Sequence, residues 1–361
     1  MIENQRHRFR IPDDVTYLNC ASEMPLLRAA VAAGESGLAR KVQPWGGGRA
    51  DTAAEAEKAR SLFAGLIGAT GGDIALVPST SYGVAVAAQN LTVARGQEIL
   101  VLEDQFPSNY HAWRVLAAAR GATLVTVPRP DDGDWTAATL DHLGERTAIA
   151  ALPHCHWTDG GWLDLVAVGA RCREFGTALV VDATQHVGAA ALDIADIDPD
   201  FLVCSGYKWL LCPYTLAFLY AAPRHHEGRP LEHRDPADTG GARRFDMGER
   251  YNLINLPMAV AGLAQLRQWT PGAIAATMVP VIGRIAEAAA ERGFSVPPQA
   301  HRAAHFIGLR GKTPPAADLV QRCAADKVYF AIRGGAIRVS PYLFTRDDEI
   351  GRFFAVLDRH R

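Results

Sequence analysis

Residues 200–211 read DFLVCSGYKWLL. A short apolar run, DFLVC, leads into a small-residue turn, and a lysine follows, flanked by two aromatic rings. Lysine is among the residues least often buried unless it is paired. Three readings of Lys208 stand at this point: a surface residue snorkelling past apolar neighbours, a salt-bridge partner, or a catalytic amine.

The surroundings favour a parallel sheet. IALVP (74–78), EILVLE (98–103), TLVTV (123–127), TAIAALP (147–153), ALVVD (178–182), DFLVC (200–204) and YTLAFLY (214–220) all read as strands. Helix-period stretches separate most of them. Leu165, Val168, Gly169 and Cys172 recur at i, i+3, i+4 and i+7, and Ala59, Leu62, Phe63, Leu66 and Ile67 show the same face. Such alternation predicts an α/β fold, a mostly parallel seven-stranded sheet flanked by helices. The last strand follows the lysine after a short loop, so an antiparallel direction is open for it. Beyond residue 222 the chain turns polar and rich in Pro and Gly (APRHHEGRPLEHRDPADTGGARR, 222–244), which reads as a connection. Helices are expected near 253–269, 274–292, 316–325 and 347–358, with short strands between, as in a smaller α+β domain. The predicted division is an N-terminal segment (1–44) packing with the small domain, a large domain (45–235) and a small C-terminal domain (236–361).

The 361 residues are enough to bury a large core, and 48% are hydrophobic. A net charge of −2 supplies no general field to recruit nucleic acid or an anionic membrane. No apolar window reads as long enough to span a bilayer, and MIENQRHRFRIPDD at the start has no apolar signal core. The six cysteines are scattered without a CxxC pair, which suits reduced thiols and a cytoplasmic location.

In open α/β sheets ligands sit at the carboxyl ends of the strands. Several chemically active groups fall there. After the 74–78 strand, Ser79, Thr80 and Ser81 start a helix whose free N–H groups and hydroxyls suit a phosphate; taken alone, ordinary N-capping is the better reading. Asp182 ends one strand within VVDATQHVGA (180–189), and SGYK follows the next. Phe106 lies in a turn within DQFPSNYHAW (104–113) after a further strand. A helix start for an anion, a carboxylate and a lysine in one crevice suit pyridoxal 5'-phosphate. The lysine forms the imine, the carboxylate keeps the pyridine nitrogen protonated, and the helix start holds the phosphate.

With VVDATQHVGA and SGYKWL in this order, Lys208 falling 26 positions after Asp182, the chain resembles the class V aminotransferase-type, fold type I enzymes. That superfamily includes cysteine desulfurases, kynureninases and isopenicillin-epimerase-like proteins. The resemblance runs from YLNCASEMP (17–25) to IRVSPYLFTRDDEI (337–350). It implies Lys208 as Schiff-base lysine and proton shuttle, Asp182 facing the pyridine nitrogen and Gln185 bonding the phenolic oxygen. It further implies Phe106 stacked on the ring, with Thr80, Ser81, Ser205 and Tyr207 around the phosphate. His156 would stand beside the cofactor, and Asn252 (with Arg250) would reach a neighbouring subunit's phosphate. Arg338 would clamp a substrate α-carboxylate, a task suited to its bidentate fork. A homodimer acting on an amino acid is the implied assembly.

Other motifs read more plainly. HCHWTDGG (154–161) places His154, His156 and Asp159 close together, but no second cluster completes a metal site. WGGGRAD (45–51) lacks the strand and spacing of a nucleotide loop and reads as a turn before a helix, with Trp45 and Arg49 as candidate substrate contacts. The stretch DKVYFAIRGGAIR (326–338) has no cysteine where desulfurases of the family carry one, and Cys323 lies upstream in a predicted helix. VYFAIRGGAIRVSP (328–341) is closer to kynureninase, yet Gln185 stands where kynureninases usually carry histidine. The expected reaction is attack on an α-amino acid through an external aldimine, with β-elimination or C–C/C–S lyase chemistry as the outcome. Transamination or epimerisation is the alternative, and a non-catalytic regulator that binds the cofactor or an amino acid is the reading from another class.

Overall fold

Most of the apolar runs become strands buried on both faces, as parallel strands between two helix layers must be, while TLVTV at the sheet edge is partly exposed. The computed structural model describes residues 1–46, 49–233 and 240–361, with the side chain of Arg49 excepted. The strands are β1 (Thr16–Tyr17), β2 (Ile74–Val77), β3 (Glu98–Leu102), β4 (Thr123–Val127), β5 (Thr147–Pro153), β6 (Ala178–Asp182), β7 (Phe201–Ser205), β8 (Ala217–Ala221), β9 (Ile307–Leu309), β10 (Val328–Tyr329), β11 (Ala331–Arg333) and β12 (Ala336–Val339). The helices are α1 (Arg28–Val42), α2 (Arg49–Ala64), α3 (Thr80–Asn90), α4 (Ser108–Arg120), α5 (Trp135–His142), α6 (Leu165–Phe175), α7 (Ile194–Ile197), α8 (Asn255–Trp269), α9 (Pro271–Glu291), α10 (Leu319–Ala325) and α11 (Asp347–His360).

The central sheet has seven strands in the order β2-β8-β7-β6-β5-β3-β4. All seven strand expectations fall in it. β8 runs antiparallel to both of its neighbours, and the remaining pairs are parallel. The carboxyl ends of β2, β3, β5, β6 and β7 therefore open on one edge. Alternate residues feed the two layers. Leu202 and Cys204 pack into one core with α2, α6 and α8, while Phe201 and Val203 pack with α3 and α4 on the other face. These interleaved apolar faces hold the edge rigid, at roughly 25 cal/mol for each Å² of apolar surface buried.

The small domain forms its own core from Ile282, Ile285, Leu309, Val339, Phe353 and their neighbours. Its sheet runs β11-β12-β9, and β1 pairs in parallel with β10. The N-terminal segment contacts the small domain through β1, and its α1 packs against α8. The boundary placed at 235/236 lies outside the described residues, and the chain just beyond it differs from the expectation. Phe245 packs in the large-domain core, and Met247 N donates to Leu76 O at 2.9 Å. Leu256, Leu263 and Leu266 of α8 share the core of α2 and β7. The small domain's own core begins only within α9. A polar, Gly/Pro-rich stretch signals a loop, not which domain that loop returns to.

One helix corrects the membrane reading. Pro271–Glu291 is long and apolar enough to cross a bilayer by composition. Here Ile274, Met278, Ile282, Ile285 and Ala289 are buried along one face, so it packs as an amphipathic core helix.

Candidate active site

The turn after β7 is built around Gly206. Its N–H donates to Leu216 O at 2.9 Å, and a Cβ there would sit 2.6 Å from that same oxygen. Only glycine fits this approach. The turn sets Lys208 in a cleft of about 150 Å³ lined by residues from all the converging strand ends. Ser79, Thr80 and Ser81 come from the start of α3, Phe106 from the β3 end, Pro153 and Cys155 from the β5 end, Asp182, Thr184 and Gln185 from β6, and Ser205, Tyr207 and Lys208 from β7.

At one end three hydroxyls meet. Thr80 Oγ1 lies 2.6 Å from Ser205 Oγ and 3.2 Å from Thr184 Oγ1. They stand at the N-terminus of α3, where the amides of Thr80 and Ser81 have no earlier helical carbonyl to bond. Ser79 caps the helix by accepting from Tyr82 N at 3.2 Å. At the centre Asp182 is 8% exposed, and burial pushes its carboxyl up. A bond from Thr184 N to Oδ1 at 3.0 Å and the nearby Lys208 charge work the other way. Gln185 is held at both ends: its Nε2 donates to Ala21 O at 2.9 Å, and its Oε1 accepts from Trp209 Nε1 at 2.8 Å.

Lys208 is 7% exposed, and its amine makes no hydrogen bond to any described residue. Burial first, and Arg338 second, lower its amine to about 8, with Asp182 opposing. Its Nζ lies 5.5 Å from the Phe106 ring centre and 5.4 Å from that of Tyr207. Phe106 stands edge-on to Trp157 at 5.3 Å. Arg338, on β12, is 2% exposed. It donates to Trp157 O at 2.7 Å and to Ser22 Oγ at 2.6 Å, while its Nε has no partner. Burial and the neighbouring Arg333 press on its charge, which a guanidinium nonetheless keeps.

The structure thus brings Thr80, Ser81, Phe106, Asp182, Gln185, Ser205, Tyr207 and Lys208 to one cleft, with Arg338 beside it. Two candidates stand elsewhere. His156 is fully buried away from the cleft, stacked on Trp135 at 5.0 Å. Its Nε2 pairs with Glu103 O at 2.9 Å and its Nδ1 with Thr158 Oγ1 at 2.7 Å. The alternation of extended backbone explains the correction: Pro153 and Cys155 face the cleft, so residues 154 and 156 face away. Asn252 is exposed and closes the turn that leads into α8, its Oδ1 accepting from Ile254 N and Asn255 N, both at 2.9 Å. Arg250 pairs with buried Asp246 at 3.3 Å. Among the described residues no His/Cys/Asp/Glu group could hold a metal. Trp45 is 83% exposed; Gly47, Gly48 and the Arg49 side chain lie outside the described residues.

Sequence reasoning missed Thr184, Trp157 and Ser22. Thr184 sits inside the quoted VVDATQ stretch, and its place at the carboxyl end of β6 was the available signal. Trp157 and Ser22 come from loops that only the tertiary fold brings to Arg338.

The family model for aminotransferase class V matches residues 46–259, which contain every cleft-lining residue. The chain belongs to the aminotransferase class-V family. It is 26% identical over 304 residues to an uncharacterized aminotransferase, YcbU, of Bacillus subtilis, covering 81% of this chain and 80% of that one. It is 31% identical over 247 residues to isopenicillin N epimerase of Streptomyces clavuligerus, covering 66% of this chain and 60% of the epimerase. The solved structure of a C-DES mutant with glycine covalently linked to its PLP cofactor superposes with a TM-score of 0.87. That match has 19% identity and covers 99% of this chain and 100% of that chain.

This class V aminotransferase-family protein is a pyridoxal-phosphate-dependent enzyme of fold type I. The cleft's own donor set fits the cofactor. Clustered hydroxyls and a helix N-terminus suit its phosphate. A buried carboxylate suits a protonated ring nitrogen, and a buried amine without a partner suits its aldehyde carbon.

Proposed function

We propose that the enzyme removes the Cα proton of an amino acid with Lys208 as its single base and then expels a β-substituent, a β-elimination or C–C/C–S lyase reaction. The bound cofactor supplies an electron sink at Cα. One observation carries the reading: among the described residues that line the cleft, Lys208 alone presents a buried amine without a hydrogen-bond partner. Burial pushes the Cys155 and Tyr207 groups up, so they keep their protons. Asp182 is committed to Thr184 and to the cofactor ring. Arg338, oriented by its donations to Trp157 O and Ser22 Oγ, would hold the substrate carboxylate and so fix which Cα bond faces Nζ. The proton taken at Cα stays on Nζ and can return to the leaving group or product.

Two further observations support it. All six cysteines are buried, and Cys323 lies inside α10, so none is placed as an exposed persulfide carrier. The aromatic wall opposite Lys208, Phe106 with Trp157, carries no second base of the kind a two-base epimerisation requires. C-DES, similar in fold, is itself described as a cystine C–S lyase. Transamination stays as the second reading, since a relative bears that name and the same lysine would serve it. A cytoplasmic homodimer belongs to this proposal, with exposed Asn252 and Tyr214 (52% exposed) as contacts for a second copy.

The test is a panel of L-amino acids given to the loaded enzyme, following ammonia, oxo-acid and sulfide release. Ammonia with an oxo acid or sulfide is expected, with none from Lys208→Ala. Amino-group transfer to an added oxo acid without ammonia would favour transamination, and turnover by Lys208→Ala would overturn the proposal.

A further inference from the structure

The hairpin β11–β12 carries two arginines, and its register decides where they lie. Ala331 pairs with Arg338, and Arg333 with Ala336. Directly opposed residues share a face, as do residues two apart along one strand. Arg333 and Arg338 are therefore diagonal neighbours on one face, roughly 7–8 Å apart or less. Ile332 and Ile337 occupy the other face and pack into the small-domain core. The arginine face consequently turns toward the large domain. There Arg338 reaches Trp157 O, and Gly334 at the turn abuts Thr158.

Charge is unbalanced on this face. The nearby Arg129 and Arg310 share one buried carboxylate, Asp159, at 2.6 and 2.8 Å, so each has an acidic partner although one positive charge stays over. Arg333 is half-buried, and no described carboxylate lies within 4.0 Å of it. Its side chain donates only to Ile332 O, at 3.0 Å. Among the described residues, Asp182 is the only carboxylate lining the cleft beside Lys208. The Arg333 charge reaches both Arg338 and Lys208, pushing each of them down. A single α-carboxylate would neutralise Arg338 and leave Arg333 uncompensated.

We propose that Arg333 binds a second anionic group of the substrate, so that the enzyme selects α-amino acids whose side chain ends in a carboxylate or sulfur oxyacid. The diagonal spacing suits side chains of aspartate to glutamate length. The inference rests on Arg338 as the α-carboxylate site.

The test is calorimetric binding of propionate and succinate to the loaded enzyme, with the cofactor absorbance of each variant as the check on folding. Succinate is expected to bind about tenfold or more tightly than propionate, as one added ion pair of ~1.4 kcal/mol or more gives. Arg333→Gln should bring succinate down to the propionate level and leave propionate unchanged, and Arg333→Lys should keep part of the preference. Equal affinities in the wild type, including no detectable binding of either, would overturn the inference. So would a preference that survives Arg333→Gln. If Arg338→Gln leaves propionate binding intact while the Arg333-dependent preference persists, the α-carboxylate assignment fails and the second anion site stands.

Discussion

Replacing Lys208 by methionine should stabilise the cofactor-free protein. The side chain is 7% exposed and unpaired, and its amine sits at about 8 against an ordinary 10.5. Each pKa unit corresponds to about 1.36 kcal/mol, so the buried ammonium costs about 3 kcal/mol. The sign follows from proton counting. At pH below 8 both the folded and unfolded chains hold the proton, and the full penalty stands. Between 8 and 10.5 the unfolded chain holds a proton the folded chain has released, so stability rises with pH. Above that range the penalty is gone. Methionine fills similar space without charge, but it also removes a cation that favours the Asp182 carboxylate. A net gain of about 2 kcal/mol is therefore expected near pH 7, shrinking toward zero near pH 10. Urea unfolding of the cofactor-free wild type and Lys208→Met would show it as a midpoint rise of roughly half a molar near pH 7. A variant no more stable than wild type near pH 7, or a gain equal at both pH values, would refute the argument that burial strains this amine.

Two more outcomes are expected. Trp209→Phe leaves the buried Gln185 Oε1 without its 2.8 Å donor, at a cost of about 1–3 kcal/mol, and lets the amide turn; the cofactor band of the loaded variant should shift its titration midpoint, and an unchanged midpoint would count against Gln185 facing the cofactor. Asp246→Asn strips the buried Arg60 of a bidentate partner at 2.6 and 2.7 Å and should destabilise by about 3–5 kcal/mol. Thermal unfolding measures it, and a loss under 1 kcal/mol would show the pair to be replaceable by neutral hydrogen bonds.

The sheet was legible because its strands are continuous apolar runs with helix-period stretches between them. That pattern implies a mostly parallel sheet covered by helices, and the short loop after Lys208 left an antiparallel β8 open, which is the direction it takes. The core of the site was legible for the same reason: Asp182, Ser205 and Lys208 sit at strand ends whose position the fold fixes. His156 was misplaced because one step in an extended segment reverses the facing direction, and no spacing in HCHW states which step lies over the cleft. Asn252 is polar and exposed within one chain, and the sequence does not distinguish a turn-closing residue from a contact for a second subunit. Ser22 and Trp157 carry no signal of their own; they matter because Arg338, far along the chain, needs acceptors where the fold happens to deliver them.

The pairing of β1 with β10 has a consequence for the order of assembly. Ala21 O orients Gln185 and Ser22 holds Arg338, so the first two dozen residues complete a pocket otherwise made of residues 79–208 and 338. β1 docks on Val328–Tyr329, far later in the chain. β1 must therefore wait, unpaired, until β10 has been made. Loop-closure entropy makes such a long-range contact a late event in folding. The large sheet can form first, but a cleft able to orient an amino acid exists only once the segment around Ala21–Ser22 has met the β10–β12 region.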